Sequence, residues 1–212
     1  MGARQRRDER DGPDRLRDYR GKRDFTRTAE PRGRAAAPGP EPRFVVQIHD
    51  ARRMHFDFRL QVGDVLRSWA VPKGPPADPK DKRLAVPTED HPLEYEEFEG
   101  VVPHGEYGGG TVIVWDRGTY EPLSRDRRGR PVGFAESLER GHARFRLKGS
   151  KLRGEYALTR FRGEGDGSGE EAWLLVRTAS GQSRGRPAPD PRRARSVRSG
   201  RTLAQVAADE GA

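Results

Sequence analysis

Residues 47–60 read QIHDARRMHFDFRL. His49, His55, Asp57 and Arg59 fall at odd positions, and Ile48, Met54, Phe56, Phe58 and Leu60 at even ones. A β-strand sends successive side chains to opposite faces. From residue 55 onward one face is therefore apolar, and the other carries an imidazole, a carboxylate and a guanidinium. Gln47 and His49 extend the polar face on a preceding strand, provided that DARRM turns back or keeps register. The period of two predicts strands here, with a loaded polar side.

The same texture recurs along the chain in FVVQIH, VLRSWAV, RLAVPT, TVIVWD, HARFRL, GEYALTRF and AWLLVRT. Turn-rich stretches such as PKGPPADPKDK and HGEYGGG separate these runs, and Gly, Pro and Asp are the residues that turns demand. About eight short strands without a sustained 3.6-residue period predict an all-β fold, a closed or partly open β-barrel. One or two short helices accompany it. FAESLERG places Phe134 and Leu138 four apart, with Gly141 to close the C-terminus. GRTLAQVAA offers Thr202 as an N-cap. GEGDGSG, residues 163–169, reads as a mobile hairpin loop.

Hydrophobic residues make up 32% and charged residues 35% of the 212, too polar a mixture for one compact core throughout, so flexible basic tails are expected. The expected divisions are a disordered basic arm at 1–21, then a segment and linker at 22–43 that includes PRGRAAAPGPEP. The barrel takes 44–179, and 180–212 forms a basic tail with a short helix. The net charge of +9 resides in the ends: +5 in residues 1–43, +4 in 180–212, and none in between. Basic ends attract phosphate polymers by releasing counterions, whereas a site in the neutral middle must arise from local placement. The absence of cysteine excludes disulfides, thiol nucleophiles and thiolate metal sites. No apolar run nears the ~20 residues of a membrane helix, and the N-terminus lacks the apolar core of a secretory signal. A cytoplasmic, nucleoid-associated monomer without membrane attachment is the expectation.

A polar strand face can simply look into water. Two histidines and an aspartate at this spacing offer more, because two imidazoles and a carboxylate supply three metal ligands and leave coordination positions open. Arg59, one strand step past Asp57, is a bidentate donor suited to phosphate. A metal beside an arginine stabilises the charge that builds on phosphoryl oxygens. A rival pattern is present too: His55, Asp57 and a distant His91 satisfy the His-x-Asp…His triad of Fe(II) oxygenases. EDHPLEY lacks the Arg and Ser that would hold a 2-oxoacid there and offers Tyr95 instead. A third reading is a non-catalytic barrel that holds DNA ends through its basic tails.

QIHDARRMHFDFRL, LRSWAVPKGP, TEDHPLEYEEFEG, VVPHGEYGGGTVIVWDRGTYEP, LKGSKLRGEYALTRF and AWLLVRT, in that order, resemble the 3′-phosphoesterase domain of bacterial DNA ligase D, here as a stand-alone protein. The resemblance extends back into KRDFTRTAEP and covers residues 22 to about 178. It implies a metal-dependent enzyme that removes a 3′-terminal ribonucleoside from a primer-template, then the 3′-phosphate, leaving a 3′-OH for ligation in double-strand break repair. By motif match, His49, His55 and Asp57 would hold Mn²⁺ or another divalent transition metal. Arg59, His91 and Tyr95 would grip the scissile phosphate, with Lys73, Arg83 and Arg23 as further basic positions. His91 is implied as general acid or transition-state clamp, Asp24 and Glu30 as further residues needed for activity, and Gln47 and Glu89 as partners that orient the others. Residues 22–30 should then fold against the site. Partners follow from the same resemblance: DNA 3′ ends, and through the pathway Ku and a DNA ligase. His104 and His142 receive no role. The glycines of GEYGGG are read as serving a tight hairpin, and Trp69, Trp115 and Trp173 as core.

Overall fold

The computed structural model describes residues 14–33, 39–162, 171–178 and 189–211. Most of the expected basic arm, the 163–169 loop and the start of the C-terminal tail lie outside the described residues. Among the described residues nine strands form one antiparallel sheet: β1 (Arg43–Asp50), β2 (His55–Val62), β3 (Val65–Val71), β4 (Lys82–Pro92), β5 (Gly100–Val102), β6 (Gly110–Pro122), β7 (His142–Gly149), β8 (Arg153–Arg162) and β9 (Glu171–Arg177). Their order is β1-β2-β3-β4-β9-β8-β7-β6-β5, and β6 also pairs with β1. Eight strands thus close into the expected barrel, with β5 left outside on the edge of β6. Three short helices accompany them: α1 (Arg17–Gly21), α2 (Phe134–Glu139) and α3 (Leu203–Asp209).

The even-numbered apolar residues of the opening stretch point inward. Phe44, Val46, Ile48, Phe56, Phe58 and Leu60 join Trp69, Val71, Ile113, Phe145, Leu147, Tyr156, Leu158, Trp173 and Leu175 in one core, each at most 2% exposed. Their rings meet across it, Phe58 against Phe145 at 6.0 Å and Trp69 edge-on to Trp173 at 5.9 Å. An eight-stranded barrel is just wide enough for side chains to fill. Apolar side chains fill this one, and the polar odd-numbered residues of the opening stretch lie on its outer wall.

A second apolar layer covers part of that wall. Val45, Val65, Leu66, Val112 and Val114 pack beneath Leu16, Tyr19, Leu93, Tyr95 and Phe98. The cover comes from α1 and from the 3₁₀ turn Leu93–Glu97. Residues 14–21 of the expected basic arm are therefore not loose, because Leu16 and Tyr19 are buried and anchor them on the barrel. At the other end, Thr202 and Gln205 form a reciprocal capping box on α3. Leu203 and Val206 are buried, and Glu210 accepts a hydrogen bond from the Val101 amide at 2.8 Å. Residues 189–211 thus lie against β5 and β6 and do not trail away from the barrel.

Asp116, fully buried, accepts hydrogen bonds from the amides of Ser150, Lys151 and Leu152 at 2.7–3.0 Å and so fixes the β7–β8 turn. Asp116→Ala leaves three amides without that acceptor, a loss of about 3 kcal/mol. The melting temperature is expected to drop by about 6–12 °C, read by calorimetry, with turnover per folded molecule retained.

Candidate metal and phosphate site

The β1–β2 hairpin pairs His49 with His55, Gln47 with Asp57 and Val45 with Arg59. That register brings the odd residues of both strands onto the outer face, so the stretch DARRM does turn back. One candidate donor atom from each of His49, His55 and Asp57 lies within 4.8 Å of the others, the one such group among the described residues. His49 Nδ1 and His55 Nε2 each stand 3.6 Å from a different oxygen of Asp57.

Three observations fit this trio to a divalent cation. His55 Nδ1 is 2.8 Å from the Arg53 carbonyl. A carbonyl can only accept, so Nδ1 carries a proton and Nε2, on the Asp57 side, is the nitrogen left for a cation, the arrangement in which a histidine ligand is oriented by its other nitrogen. His49 Nε2 is buried with no hydrogen-bond partner. The donor set, two imidazoles and a carboxylate, suits Mn, Fe, Co or Zn and does not distinguish among them.

Electrostatics keep the carboxylate charged. Burial pushes the Asp57 carboxyl up, but Arg59, His49 and His55 outweigh it and hold it well below the usual range. For His55, burial works against the charged ring, while Asp57 and the Arg53 carbonyl raise the pKa above its ordinary 6.5. Protons therefore compete with a cation for this nitrogen at mildly acidic pH.

Arg59, 3% exposed, is held on every side. Its Nη2 lies 3.1 Å from Asp57, Nε donates to Gln47 Oε1 at 2.9 Å, and Nη1 donates to Ser68 Oγ at 2.8 Å. Gln47 spends its amide protons on the carbonyls of Tyr95 and Phe98 at 3.0 and 2.9 Å. The guanidinium also lies 4.9 Å from the Tyr95 ring. Gln47→Ala removes the acceptor that aims Arg59 and unpins the Leu93–Glu97 turn. Turnover should fall about 10–100-fold with the metal group intact, measured as kcat alongside metal affinity.

The opposite wall comes from β4 and the N-terminal segment. His91 Nδ1 is 2.8 Å from the Glu89 carbonyl, so its proton is committed there and Nε2 carries the lone pair, 3.4 Å from Arg23 Nη2. Burial, then Arg59 and Arg23, hold the His91 pKa well below 6.5, so the ring is neutral at rest. Arg23 donates to Glu30 at 2.9 Å and to Glu89 at 3.1 Å. The Tyr95 hydroxyl donates to Glu30 at 2.8 Å. Burial, then Glu30, push its pKa well above 10, so it stays protonated.

These side chains enclose a cavity of ≈ 180 Å³ lined by the metal trio, Arg59, His91, Tyr95, Arg23, Glu30 and Glu89, with Thr88, Tyr107 and Gly108 at its margin. Gln47 stands behind Arg59. Three further expected residues do not line it. Asp24 is exposed and closes a local turn by accepting from the Thr26 amide and hydroxyl at 3.0 and 2.6 Å. Lys73 is exposed in the turn after β3. Arg83, where β4 meets β9, donates to Asp81 at 2.8 Å. The oxygenase pattern is not assembled either: His91 stands outside the group formed by His49, His55 and Asp57.

Ser68, Tyr19, Lys22 and Tyr107 are contributors the sequence reading missed. Ser68 carried a signal. Gly63-Asp64 between Val62 and Val65 is a two-residue turn, which sets Arg59 opposite Ser68. Lys22 and Tyr107 become neighbours only through tertiary packing, the Lys22 Nζ donating to the Tyr107 hydroxyl at 3.2 Å. The glycines around Tyr107 do serve a tight turn: Gly105, Gly108 and Gly110 have φ of 94°, 76° and 144°. A Cβ on Gly110 would stand 2.3 Å from the Asp50 carbonyl oxygen.

Residues 47–160 match the family model described as the DNA Ligase D 3′-phosphoesterase domain. The chain is 48% identical over 171 residues to the multifunctional non-homologous end joining protein LigD of Pseudomonas aeruginosa, covering 80% of this chain and 19% of that protein. It is 45% identical over 152 residues to the multifunctional non-homologous end joining DNA repair protein LigD of Mycobacterium tuberculosis, covering 71% and 19%. The LigD of Mycolicibacterium smegmatis is 41% identical over 154 residues, covering 71% and 20%. The chain spans about a fifth of the length of these relatives.

Proposed function

Because the chain belongs to the DNA ligase D 3′-phosphoesterase domain family, we propose that it heals DNA 3′ ends by metal-assisted hydrolysis. It removes a terminal ribonucleoside and then the 3′-phosphate, leaving a 3′-OH. The observation that supports this most is Asp57. Its carboxylate is shared between two imidazoles and the Arg59 guanidinium, so cation and phosphate would meet at one point.

His49, His55 and Asp57 would hold the ion, Mn²⁺ in our proposal, and when bound it would supply Lewis-acid charge to the phosphate and acidify a water. The rest falls to the chain's own groups. Arg59 faces the phosphate as a fixed donor, preorganised by Gln47 and Ser68, so that it does not reorganise as charge develops. Arg23, clamped by Glu30 and Glu89, adds a second positive charge beside His91. His91 handles the proton at Nε2. Neutral at rest, it would take a proton from solvent water as the negative phosphate arrives and pass it to the leaving oxygen, the attacking water's own proton going to solvent. Tyr95, with its proton on Glu30, shapes the wall under Arg59 and bears on the phosphate through its ring and the orientation of Glu30.

A 3′-OH is what a ligase needs, and the relatives are named for non-homologous end joining. We therefore place this chain at DNA ends in that pathway, upstream of a ligase and in company with Ku, as a monomer near the nucleoid. No helix among the described residues is long and apolar enough to cross a membrane.

The test is a metal-by-substrate matrix. Primer-templates ending in a ribonucleotide or a 3′-phosphate are incubated with Mn²⁺, Co²⁺, Zn²⁺ or Mg²⁺. A 3′-OH product that disappears with chelator supports the reading. Tight DNA binding without turnover in any metal would replace it with the end-binding module.

A further inference from the structure

Tyr107 is the one exposed Phe, Tyr or Trp ring among the described residues, at 48%, in a fold that buries its three tryptophans to 4% or less. It sits on the glycine-rich turn between β5 and β6, at the margin of the metal and phosphate cavity. Positive-φ glycines at 105 and 108 flank it and fix where the turn can place it. Its hydroxyl accepts from Lys22 at 3.2 Å and donates to Glu89 at 3.3 Å. Lys22 Nζ lies 4.6 Å from the ring centroid and Arg23 Cζ 5.6 Å. The ring is thus exposed yet held, with two cations nearby. A ring held in place beside a phosphate-sized cavity, with its face open to solvent, is available to a ligand entering that cavity.

A nucleobase is the natural cover. Proteins that take unpaired ends hold them by stacking bases on exposed aromatic rings beside a cationic track for the backbone. Beyond the Tyr107 turn the wall continues into a larger cleft of ≈ 810 Å³, which shares Ala51 and Gly108 with the phosphate cavity and runs along Asp50, Arg52, His104 and Glu106. There is room on that side for what hangs from the phosphate.

Resting on the phosphoesterase reading above, we propose that Tyr107 is the platform on which the 3′-terminal nucleobase stacks, making it a specificity-determining residue for ribonucleoside removal. The base is read by its π-face, so any of the four bases is accepted. In removal of the 3′-phosphate no nucleoside lies beyond the phosphate, so that step does not draw on this contact. Lys22 and Glu89 hold the ring through its hydroxyl, and the ring does the stacking.

The experiment uses metal-free full-length protein, which cannot turn over, and primer-templates whose terminal ribonucleotide carries 2-aminopurine, a base whose fluorescence is quenched by stacking. A matched primer ends in abasic ribose. Wild type should quench the fluorophore and bind the base-bearing end about ten- to a hundredfold more tightly than the abasic end. Tyr107→Ala should lose both the quenching and the preference. Tyr107→Phe and Tyr107→Trp should keep them. With Mn²⁺ restored, the same preference should appear in KM for ribonucleoside removal. Equal loss of affinity for both ends in Tyr107→Ala, or a Phe variant as impaired as Ala, would assign the residue to holding Lys22 and Glu89 and overturn the proposal. A wild type that shows no quenching also overturns it. Failure of the phosphoesterase reading shows separately, as base-dependent binding without turnover in any metal.

Discussion

His55→Ala is expected to lower 3′-phosphate hydrolysis by more than about a hundredfold while the protein stays folded. Loss of a residue that merely orients a ligand costs about 10–100-fold, and in our proposal His55 is a ligand itself, its Nε2 on the Asp57 side of the trio. The variant isolates chemistry from stability. His55 is partly exposed, its side chain at 21%, and its neighbour Asp57 keeps Arg59 as counter-charge. A melting shift of no more than about 3 °C is expected. Turnover with saturating Mn²⁺, Mn²⁺ affinity by calorimetry and thermal denaturation check the three parts together. A variant retaining near-normal turnover would show that the ion does not use this imidazole.

Arg59→Ala carries the second large effect, and it acts on two levels. Loss of a donor preorganised for developing negative charge slows reactions by about 10²–10³, and that is the expected fall in kcat. The same change leaves the buried Asp57 carboxylate without its cation, a loss of roughly 3–5 kcal/mol in the metal-free protein. Adding Mn²⁺ should restore much of the lost stability, because the ion replaces the missing charge, but not the turnover. Arg59→Lys separates the two levels. A lysine keeps the charge but cannot reach Gln47, Ser68 and Asp57 with one planar fork. Its stability should lie near wild type and its turnover well below. Melting curves with and without Mn²⁺, set beside single-turnover rates, read both. Unchanged turnover in Arg59→Ala would remove this guanidinium from the phosphate site.

The hairpin that carries the trio was legible because it is local. Alternation told which residues share a face, and the turn at 50–54 had only to fold back for His49 to meet His55. The barrel followed from eight short alternating runs, and the tryptophans were legible as core from their apolar neighbours. What could not be read was which side of the barrel holds the site. An alternating pattern distinguishes two faces without saying which is inside, and here a second apolar layer makes both faces buried. Tyr19 and Leu16 looked like part of a polar arm because two apolar residues among many charges carry little signal. Their burial is decided by Val65 and Leu66, far along the chain. The motif match drew Arg23 and Glu30 to the site, and the structure places both in its wall. It also suggested Asp24, Lys73 and Arg83, which the structure places outside the cavity in a turn, a loop and a strand end. Tyr107 lay hidden for the opposite reason. The glycines beside it announced a turn so clearly that the aromatic within it passed for a detail.

Anomalous diffraction from crystals grown with Mn²⁺ and inorganic phosphate tests the central claim most directly. One strong manganese peak bonded to nitrogens of His49 and His55 and an oxygen of Asp57, with a phosphate oxygen on the metal and another against Arg59, is the expected result. Manganese bound elsewhere, or a phosphate seated away from Arg59 with the trio left without an ion, would contradict the account.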